Sequence, residues 1–343
     1  MKESKKSVVG TAIIGYGYWG PNLLRTFNES NRSDVVVCCD MNLKRLRVVK
    51  NKYPAIDVTP DYDKVLTNSK VDAVVIATPL STHYLLAKKA LLANKHVWIE
   101  KPMTENSVQA KELVELARKK KKVIQVDHIF LYTQAVTEIK RMIDSKEIGK
   151  SYYFDSVRIN LGLFQPDSNV VWDLAIHDIT IMCHLLGKTP KSVSAFGTSH
   201  IRNNLEDTAY LNFNFSEKVS AHVAVSWLSP VKIRKTIIAG SKKMVIYDDL
   251  ETSEKVKVYD YGVSFSKRYR PESSTAGYQY RIGNIRIPAL ENKEALQNAC
   301  AHFIDCILYN KIPLTDGVAG LNCIKVLEAA SLSLKNNSRE QRI

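Results

Sequence analysis

The chain has 343 residues and a mass of 38.7 kDa, which leaves room for two domains of ordinary size. Apolar residues make up 45% of it and charged residues 24%, as in globular proteins, which excludes a disordered, collagen-like or disulfide-scaffold chain. The net charge is +14, of which +10 falls within the first 122 residues. These basic residues are scattered, and their one dense run, residues 118–122, ends a predicted helix. We therefore expect the charge to attract small anions, and we expect no nucleic-acid partner.

The sequence also predicts where the protein is found. No run approaches about 20 consecutive apolar residues, so we expect no membrane-spanning helix and no membrane partner. The first apolar run, residues 8–14, is too short for a secretory leader and is better explained as a strand. The six cysteines form no Cys-x-x-Cys pair. We therefore expect free thiols and a cytoplasmic location.

Short apolar strands alternate with helices in the first part of the chain. In chain order the pattern predicts a strand at 8–14, a helix at 21–28, a strand at 34–39, a helix at 43–53, a strand at 71–79, a helix at 83–94, a strand at 96–102, a helix at 107–121 and a strand at 123–128. This alternation is typical of a parallel, doubly wound sheet. We assign it to a first domain, residues 1–127.

Residues 128–343 show a different pattern and form the second predicted domain, of the α/β class. After a helix at 133–145, alternation of period two predicts strands at 152–160, 192–198, 207–215, 220–227, 235–240, 243–249 and 254–260. Such strands are expected to form a large, mostly antiparallel sheet. Helices at 172–186, 289–309 and 317–335 are expected to cover one face of it. The aperiodic residues 262–288 predict a long loop or arm.

A glycine motif follows the first strand. Residues 15–20 read Gly-Tyr-Gly-Tyr-Trp-Gly, which is the pattern G-x-G-x-x-G between a strand and a helix. Gly15 would permit the tight turn, Gly17 would let backbone approach a pyrophosphate, and Gly20 would allow close packing of helix on strand. The motif in this context predicts a dinucleotide-binding site.

The residue that ends the second strand bears on the choice of dinucleotide. Asp40 lies 20 residues past Gly20. A carboxylate there would accept hydrogen bonds from the adenosine ribose and repel a 2′-phosphate, which favours NAD over NADP. Lys44 and Arg45 lie nearby, and a basic residue could accommodate the extra phosphate.

Two further patterns suggest proton chemistry. Lys101, in Glu100-Lys101-Pro102, closes a strand at the carboxyl edge of the sheet, where a lysine can donate to a substrate oxygen or act as acid or base. Position alone fits a surface lysine equally well. Asp173 and His177 are four residues apart on a predicted helix, so the carboxylate would orient the ring of a proton-accepting histidine, or the two would form a surface ion pair. His184 follows, but no further ligand has suitable spacing, and we expect no metal.

These motifs together resemble the Gfo/Idh/MocA oxidoreductase family over nearly the whole chain. The resemblance rests on the glycine motif, on Ala77-Thr78-Pro79 with His83, on residues 96–102 (HVWIEKP) and on Asp173-x-x-x-His177. It implies a Rossmann domain at 1–127 and a C-terminal substrate-binding domain at 128–343. In that family the large sheet often builds homo-dimers or homo-tetramers, which we expect here.

The resemblance also implies the site. NAD is the expected cofactor, and Lys101, Asp173 and His177 are the expected catalytic residues. NAD is expected to contact Gly15, Gly17, Tyr18, Trp19, Gly20, Asp40, Thr78, Pro79, His83, Glu100, Lys101 and Trp172. The substrate is expected to contact Lys101, Arg158, Asn160, Asp173 and His177. In oxidation of a secondary alcohol, His177 held by Asp173 would take the proton while Lys101 bonds the same oxygen, although Lys101 and His177 could exchange roles.

Within the family, residues 158–162 and 169–178 resemble members that act on nucleotide sugars. The implied reaction oxidises the 3-hydroxyl of a UDP-N-acetyl-hexosamine (UDP-N-acetylglucosamine or its uronate) to a 3-keto sugar. A pyridoxal-phosphate-dependent aminotransferase would then aminate the product for cell-surface glycan or lipopolysaccharide synthesis.

Two positions depart from such relatives. Asp127 precedes His128 where a glycine is expected, and Thr133-Gln134 stand where Asn-Pro is often found. These departures leave other substrates open: the alternatives are an inositol or free-sugar dehydrogenase, or a 3-ketoreductase. A non-catalytic NAD-binding regulator is a further alternative, although a pure sensor has no need for the three catalytic residues.

Overall fold

The computed structural model describes residues 7–165, 168–216, 218–265 and 277–343. The chain forms two compact units. The first contains Met1–Thr133 and Lys293–Lys325, and the second contains Gln134–Asn292 and Val326–Ile343. The boundary expected after residue 127 lies near the first of these divisions, but the sequence did not predict that the chain returns to the first unit.

The first unit is built on a sheet of six parallel strands. They are β1 (Val9–Ile14), β2 (Ser33–Cys39), β3 (Asp57–Thr59), β4 (Ala73–Ile76), β5 (His96–Ile99) and β6 (Ile124–Val126). Their order is β3-β2-β1-β4-β5-β6, and all neighbours pair in parallel. This confirms the predicted doubly wound sheet. The order reverses between β1 and β4, where open α/β sheets bind their ligands at the carboxyl ends of the strands.

Helices connect these strands. They are α1 (Gly20–Glu29), α2 (Leu43–Lys52), α3 (Tyr62–Thr67), α4 (Leu80–Leu92) and α5 (Ser107–Lys120), with a 3₁₀ turn at Ile129–Tyr132. The side chains of Asn42, Asp61 and Asn106 cap the N-termini of α2, α3 and α5 by accepting backbone N–H bonds. The short β3 and α3 were not predicted.

The late helix α8 (Ala295–Tyr309) belongs to the first unit. The ring of Phe303 meets Trp98 of β5 and Phe27 of α1 edge-on, with centroids 5.6 and 6.2 Å apart, and all three side chains are buried. Such aromatic pairs stabilise by about 0.5–1.5 kcal/mol beyond their buried area. The expectation that residues 289–309 cover the antiparallel sheet is therefore wrong, because the apolar face of a helix does not specify which sheet it meets.

The second unit contains a nine-stranded sheet. Its strands are β7 (Ser151–Leu161), β8 (Ser192–Thr198), β9 (Thr208–Asn214), β10 (Ser220–Ser226), β11 (Leu228–Gly240), β12 (Met244–Asp248), β13 (Val256–Phe265), β14 (Tyr278–Arg286) and β15 (Gln341–Arg342). Their order is β14-β13-β12-β11-β7-β10-β9-β8-β15. Neighbours are antiparallel except β7 and β10, which pair in parallel. The predicted large, mostly antiparallel sheet is confirmed.

Strand β14 corrects the expected loop at 262–288. Tyr278–Arg286 pairs with β13 and is exposed at all nine positions. A strand with no buried face lacks the alternation that would have revealed it. Residues 266–276 of the expected loop lie outside the described residues.

Three helices complete the architecture: α6 (Gln134–Asp144), α7 (Ile176–Leu186) and α9 (Gly317–Lys335). Among the described helices, α9 alone is long and apolar enough to cross a membrane, and half of its apolar stretch is buried inside the protein. Its start packs closely in the first unit, where a Cβ on Gly320 would lie 2.8 Å from Met103 Sδ. Near its end, in the second unit, Ser333 Oγ accepts the Ala195 N–H at 2.9 Å. Core helices share this composition, so α9 is weak evidence for a membrane span.

Candidate functional site

The glycine loop between β1 and α1 has the shape of a phosphate cradle. Gly15 has a φ of +94°, and a Cβ there would lie 2.5 Å from the carbonyl oxygen of Ala77. A Cβ on Gly20 would lie 2.2 Å from the carbonyl oxygen of Gly15. Beside Gly17, in contrast, the nearest atom to such a Cβ is Arg45 Nη1 at 3.9 Å. Close backbone packing thus requires glycine at Gly15 and Gly20, and Gly17 leaves room for a pyrophosphate to approach.

Asp40 holds this loop to the end of β2. Its carboxylate accepts the backbone N–H of Tyr16 and that of Asn42, both at 2.7 Å, and Arg45 Nη1 lies 3.4 Å from it. The Asp40 side chain is 7% exposed. A carboxylate so fixed beside the glycine turn is placed to accept ribose hydroxyls, and Arg45 is the nearby cation that the sequence suggested. Tyr18, at the crest of the loop, is 86% exposed.

His83 joins the loops that follow β4 and β5. One ring nitrogen lies 2.9 Å from the carbonyl oxygen of Thr78 and the other 2.9 Å from that of Pro102. The side chain is 1% exposed, and burial lowers its pKa. Both nitrogens already face backbone carbonyls. We therefore propose that His83 positions Thr78, Pro79 and Lys101 and does not itself contact NAD.

A cluster of ionisable side chains surrounds Lys101 at the carboxyl ends of β5 and β6. Glu100 and Asp127 follow the paired residues Ile99 and Val126, so their backbones are adjacent. Asp127 is 2% exposed and accepts the indole N–H of Trp19 at 3.2 Å. The positive charge of Lys101 acts on both carboxyls.

The two carboxyl groups are protonated more readily than ordinary ones. Burial and the neighbouring Asp127 raise the pKa of Glu100 well above its usual value, and burial raises the pKa of Asp127. The adjoining His128 is 2% exposed, and burial together with the charge of Lys101 lowers its pKa to about 3. Lys101 is therefore close to two buried carboxyls with raised pKa values and to one neutral imidazole.

In the second unit, Asp173 lies in a π-helical turn, Val171–Ala175, that leads into α7. The predicted helix at 172–186 thus begins with a wider turn, a feature frequent at functional sites. The indole N–H of Trp227 donates to Asp173 Oδ2 at 3.2 Å. His177 is the second residue of α7 and is half-buried. Trp172, in the same turn, donates its indole N–H to Ser331 Oγ at 2.8 Å.

Arg158 occupies a different environment from the one expected. Its Nε donates to Asp178 Oδ2 at 2.6 Å and its Nη2 to Oδ1 at 3.3 Å, and Ser156 Oγ donates to the same carboxylate at 2.7 Å. The Arg158 side chain is 4% exposed. We therefore propose that Arg158 fixes α7 against β7, and so positions His177, without touching substrate. Asn160, two residues on, is partly exposed on β7.

Sequence reasoning missed Trp227 and Asp178 as supports of the site. Trp227 is 1% exposed, and a Cβ on Gly162 would lie 2.3 Å from its ring. The signals were a tryptophan at the end of a strand and an aspartate directly after His177, but their partners are distant in sequence. Among the described residues, no group of three or more His, Cys, Asp or Glu side chains is arranged to hold a metal.

The first unit has a doubly wound sheet with a glycine cradle, and the second unit is built on a large antiparallel sheet. This is the architecture of a dinucleotide-dependent oxidoreductase. Comparison with known families agrees. Residues 9–128 match the oxidoreductase family with an NAD-binding Rossmann fold, and residues 136–246 match the Gfo/Idh/MocA C-terminal domain. The chain belongs to the Gfo/Idh/MocA family and is an NAD-binding oxidoreductase.

Individual relatives are similar over most of their length. The UDP-N-acetylglucosamine 3-dehydrogenase of Acidithiobacillus ferrooxidans is 28% identical over 93% of this chain and 94% of its own. The scyllo-inositol 2-dehydrogenase (NAD⁺) of Bacillus subtilis is 27% identical over 96% and 94%. Among solved structures, GenD2 from gentamicin A biosynthesis, in complex with NAD, has a TM-score of 0.82 at 18% identity and covers 99% of this chain and 98% of its own. The structural likeness supports the fold.

Proposed function

We propose that the protein oxidises the 3-hydroxyl of a UDP-N-acetyl-hexosamine, UDP-N-acetylglucosamine or its uronate, to a 3-keto sugar with NAD. The observation that carries this substrate class is the 28% identity to a UDP-N-acetylglucosamine 3-dehydrogenase over 93% of the chain. The net charge of +14 supports it, because a positive field raises the local concentration of an anionic diphosphate sugar.

The chemistry divides between hydride and proton transfer. NAD, when bound, supplies the hydride acceptor. The glycine loop and Asp40 hold the cofactor, and Lys101 lies at the carboxyl end of β5 in the same unit. We propose that Lys101 donates a hydrogen bond to the reacting oxygen and stabilises its developing negative charge. His177 accepts the hydroxyl proton, and Asp173, anchored by Trp227, favours the protonated ring.

The wider context of the proposal follows from the same resemblance. The product ketone is a substrate for a pyridoxal-phosphate-dependent aminotransferase, and aminated sugars of this kind enter cell-surface glycans or lipopolysaccharide. We propose a cytoplasmic homo-dimer or homo-tetramer that acts on a small-molecule substrate, with no membrane or nucleic-acid partner.

A second candidate function is oxidation of an uncharged cyclitol. It is favoured by the 27% identity to scyllo-inositol 2-dehydrogenase over 96% of this chain. The same proton-transfer residues would serve, since an inositol is also a secondary alcohol. Only the contacts remote from the reacting carbon would differ.

The test is a substrate screen with purified protein and NAD that follows NADH absorbance. The panel contains UDP-N-acetylglucosamine, its uronate, free N-acetylglucosamine, myo-inositol and scyllo-inositol. We expect turnover with one of the nucleotide sugars and at least about 100-fold lower kcat/KM with N-acetylglucosamine, since the free sugar lacks the diphosphate that basic residues bind. Preferred turnover of an inositol would replace the proposal with the second candidate.

Variants test the assigned roles with whichever substrate turns over. Lys101→Ala and His177→Ala should each lower kcat by about 100-fold or more, and Asp173→Asn should act in the same direction more mildly. Lys111→Ala, at a side chain 70% exposed on α5, is the matched control. A near wild-type His177→Ala enzyme would transfer the base role to another group. A melting temperature lowered along with activity would give His177 a purely structural role.

A further inference from the structure

Asp127 stands where relatives acting on nucleotide sugars are expected to carry glycine, and it places a second carboxyl group at this edge of the sheet. It lies directly after β6, beside Glu100, which lies directly after β5. Glu100 is partly exposed as a residue, yet its Oε1 is buried. The two carboxyl groups are close enough for each to influence the pKa of the other.

The hydrogen-bond pattern of this pair is incomplete when both members are ionised. Asp127 Oδ2 accepts from Trp19, but Asp127 Oδ1 and Glu100 Oε1 are buried and have no donor. An ionised carboxylate only accepts, so two carboxylates in contact repel each other and leave both oxygens unsatisfied. One proton between them removes the repulsion and satisfies both oxygens.

The charges around the pair also indicate that Glu100 and Asp127 share one proton. The positive charge of Lys101 lowers the pKa of both carboxyls. His128 is neutral, as its pKa is lowered to about 3. Burial, with a smaller contribution from the charge of Asp127, raises the pKa of Tyr132 and of Cys300 on α8, so these groups stay neutral as well. With one shared proton, the pair carries a single negative charge that balances Lys101, and no net charge is buried.

We propose that Asp127 is a positioning residue, which shares one proton with Glu100 so that the remaining negative charge holds Lys101 as an ammonium. Lys101 then acts as a hydrogen-bond donor to the reacting oxygen, and His177 is the proton acceptor. At neutral pH the pair keeps its proton throughout turnover. This inference rests on the proposed function for the role of Lys101, but the shared proton itself does not depend on any substrate.

The first test is the infrared spectrum of the purified protein at neutral pH. A protonated buried carboxyl gives a C=O band that an ionised carboxylate lacks. We expect this band in the wild type and its loss in Asp127→Asn, because the amide N–H₂ takes the place of the shared proton and leaves Glu100 ionised. Asp63→Asn, at an exposed side chain of α3, is the matched control and should keep the band. If Asp127→Asn fails to fold, Glu100→Gln should remove the same band.

The second test is the pH profile of kcat/KM. In the wild type the pair can lose its proton at high pH, and its second negative charge then strengthens the hold on the Lys101 ammonium. In Asp127→Asn the charge of the pair is fixed at one, so the alkaline limb of kcat/KM should begin about one pH unit lower than in the wild type. A purely structural role would lower the melting temperature and leave this limb in place.

The outcomes separate this inference from the proposed function. Absence of the infrared band, or its survival in both Asp127→Asn and Glu100→Gln, overturns the shared proton even if nucleotide sugars turn over. If the band behaves as expected but no sugar nucleotide is oxidised, the shared proton stands and the proposed substrate falls. A normal band with an unmoved alkaline limb overturns the positioning role.

Discussion

Replacing Asp40 with alanine tests how the protein selects its cofactor. The Asp40 carboxylate is 7% exposed and accepts two backbone N–H bonds at 2.7 Å. Each donor left without its partner costs about 1–3 kcal/mol, so we expect Asp40→Ala to lower the free energy of unfolding by about 2–6 kcal/mol. It should also remove the charge that opposes a 2′-phosphate.

The repulsion between the Asp40 carboxylate and the 2′-phosphate of NADP has a lower limit. Two unit charges 4 Å apart interact by about 1 kcal/mol even at the dielectric constant of water. A phosphate near neutral pH carries about 1.5–2 charges, so the carboxylate disfavours NADP by at least about 1.5 kcal/mol, which is about tenfold in affinity. Arg45, 3.4 Å from Asp40, becomes free to bind the phosphate in the variant.

The assay is calorimetric titration of each protein with NAD and with NADP at one ionic strength. We expect the wild type to prefer NAD, Asp40→Ala to narrow the difference by tenfold or more, and the double variant Asp40→Ala/Arg45→Ala to lose the gained NADP affinity. Equal wild-type affinities, or an unchanged ratio in Asp40→Ala, would refute the role given to this carboxylate.

Two further predictions concern stability. Asp178→Ala should lower the free energy of unfolding by about 3–5 kcal/mol, because it removes the carboxylate that pairs with the buried Arg158 guanidinium. In urea unfolding, the double variant Arg158→Met/Asp178→Leu should recover much of this loss, and similar losses in the single and double variants would contradict the prediction. Burial and the charge of Lys122 lower the pKa of His96 to about 4 in the folded protein, from 6.5 in the unfolded chain. Between pH 6.5 and 4 the unfolded state therefore binds a proton on His96 that the folded state does not, and stability falls as the pH falls. His96 should lower the free energy of unfolding by about 2 kcal/mol at pH 5 relative to pH 7. In His96→Asn the amide oxygen can still accept the Val123 N–H, and the free energy of unfolding should vary less with pH. Parallel pH profiles for the two proteins would exclude this contribution of His96.

Local signals in the sequence were sufficient for most of the fold. The glycines of the first turn, the buried runs of β1 and β4 and the alternation along β9 each depend on neighbours within a few residues. Those elements were predicted close to their observed bounds. Strand β14 was missed because its side chains are exposed on both faces, so no periodic pattern marks it.

The environments of the candidate site residues depend on distant partners, and here the sequence was insufficient. Arg158 is neutralised by an aspartate 20 positions later, and Trp227 reaches Asp173 across 54 residues. His83 lies between two carbonyls from separate loops. A motif names residue types at the right spacing, but it does not say which of them contact a ligand and which hold others in place.

Because residues 293–325 belong to the first unit, folding of that unit during synthesis and the design of truncated fragments both depend on a late part of the chain. Helix α8 supplies Phe303 to the aromatic cluster under β5, so this core is unfinished until nearly the whole chain has left the ribosome. A fragment that stops at residue 133 would expose Trp98 and Phe27 where α8 belongs. An isolated cofactor-binding half, or a chimera with another dehydrogenase, therefore needs both stretches of sequence to remain soluble.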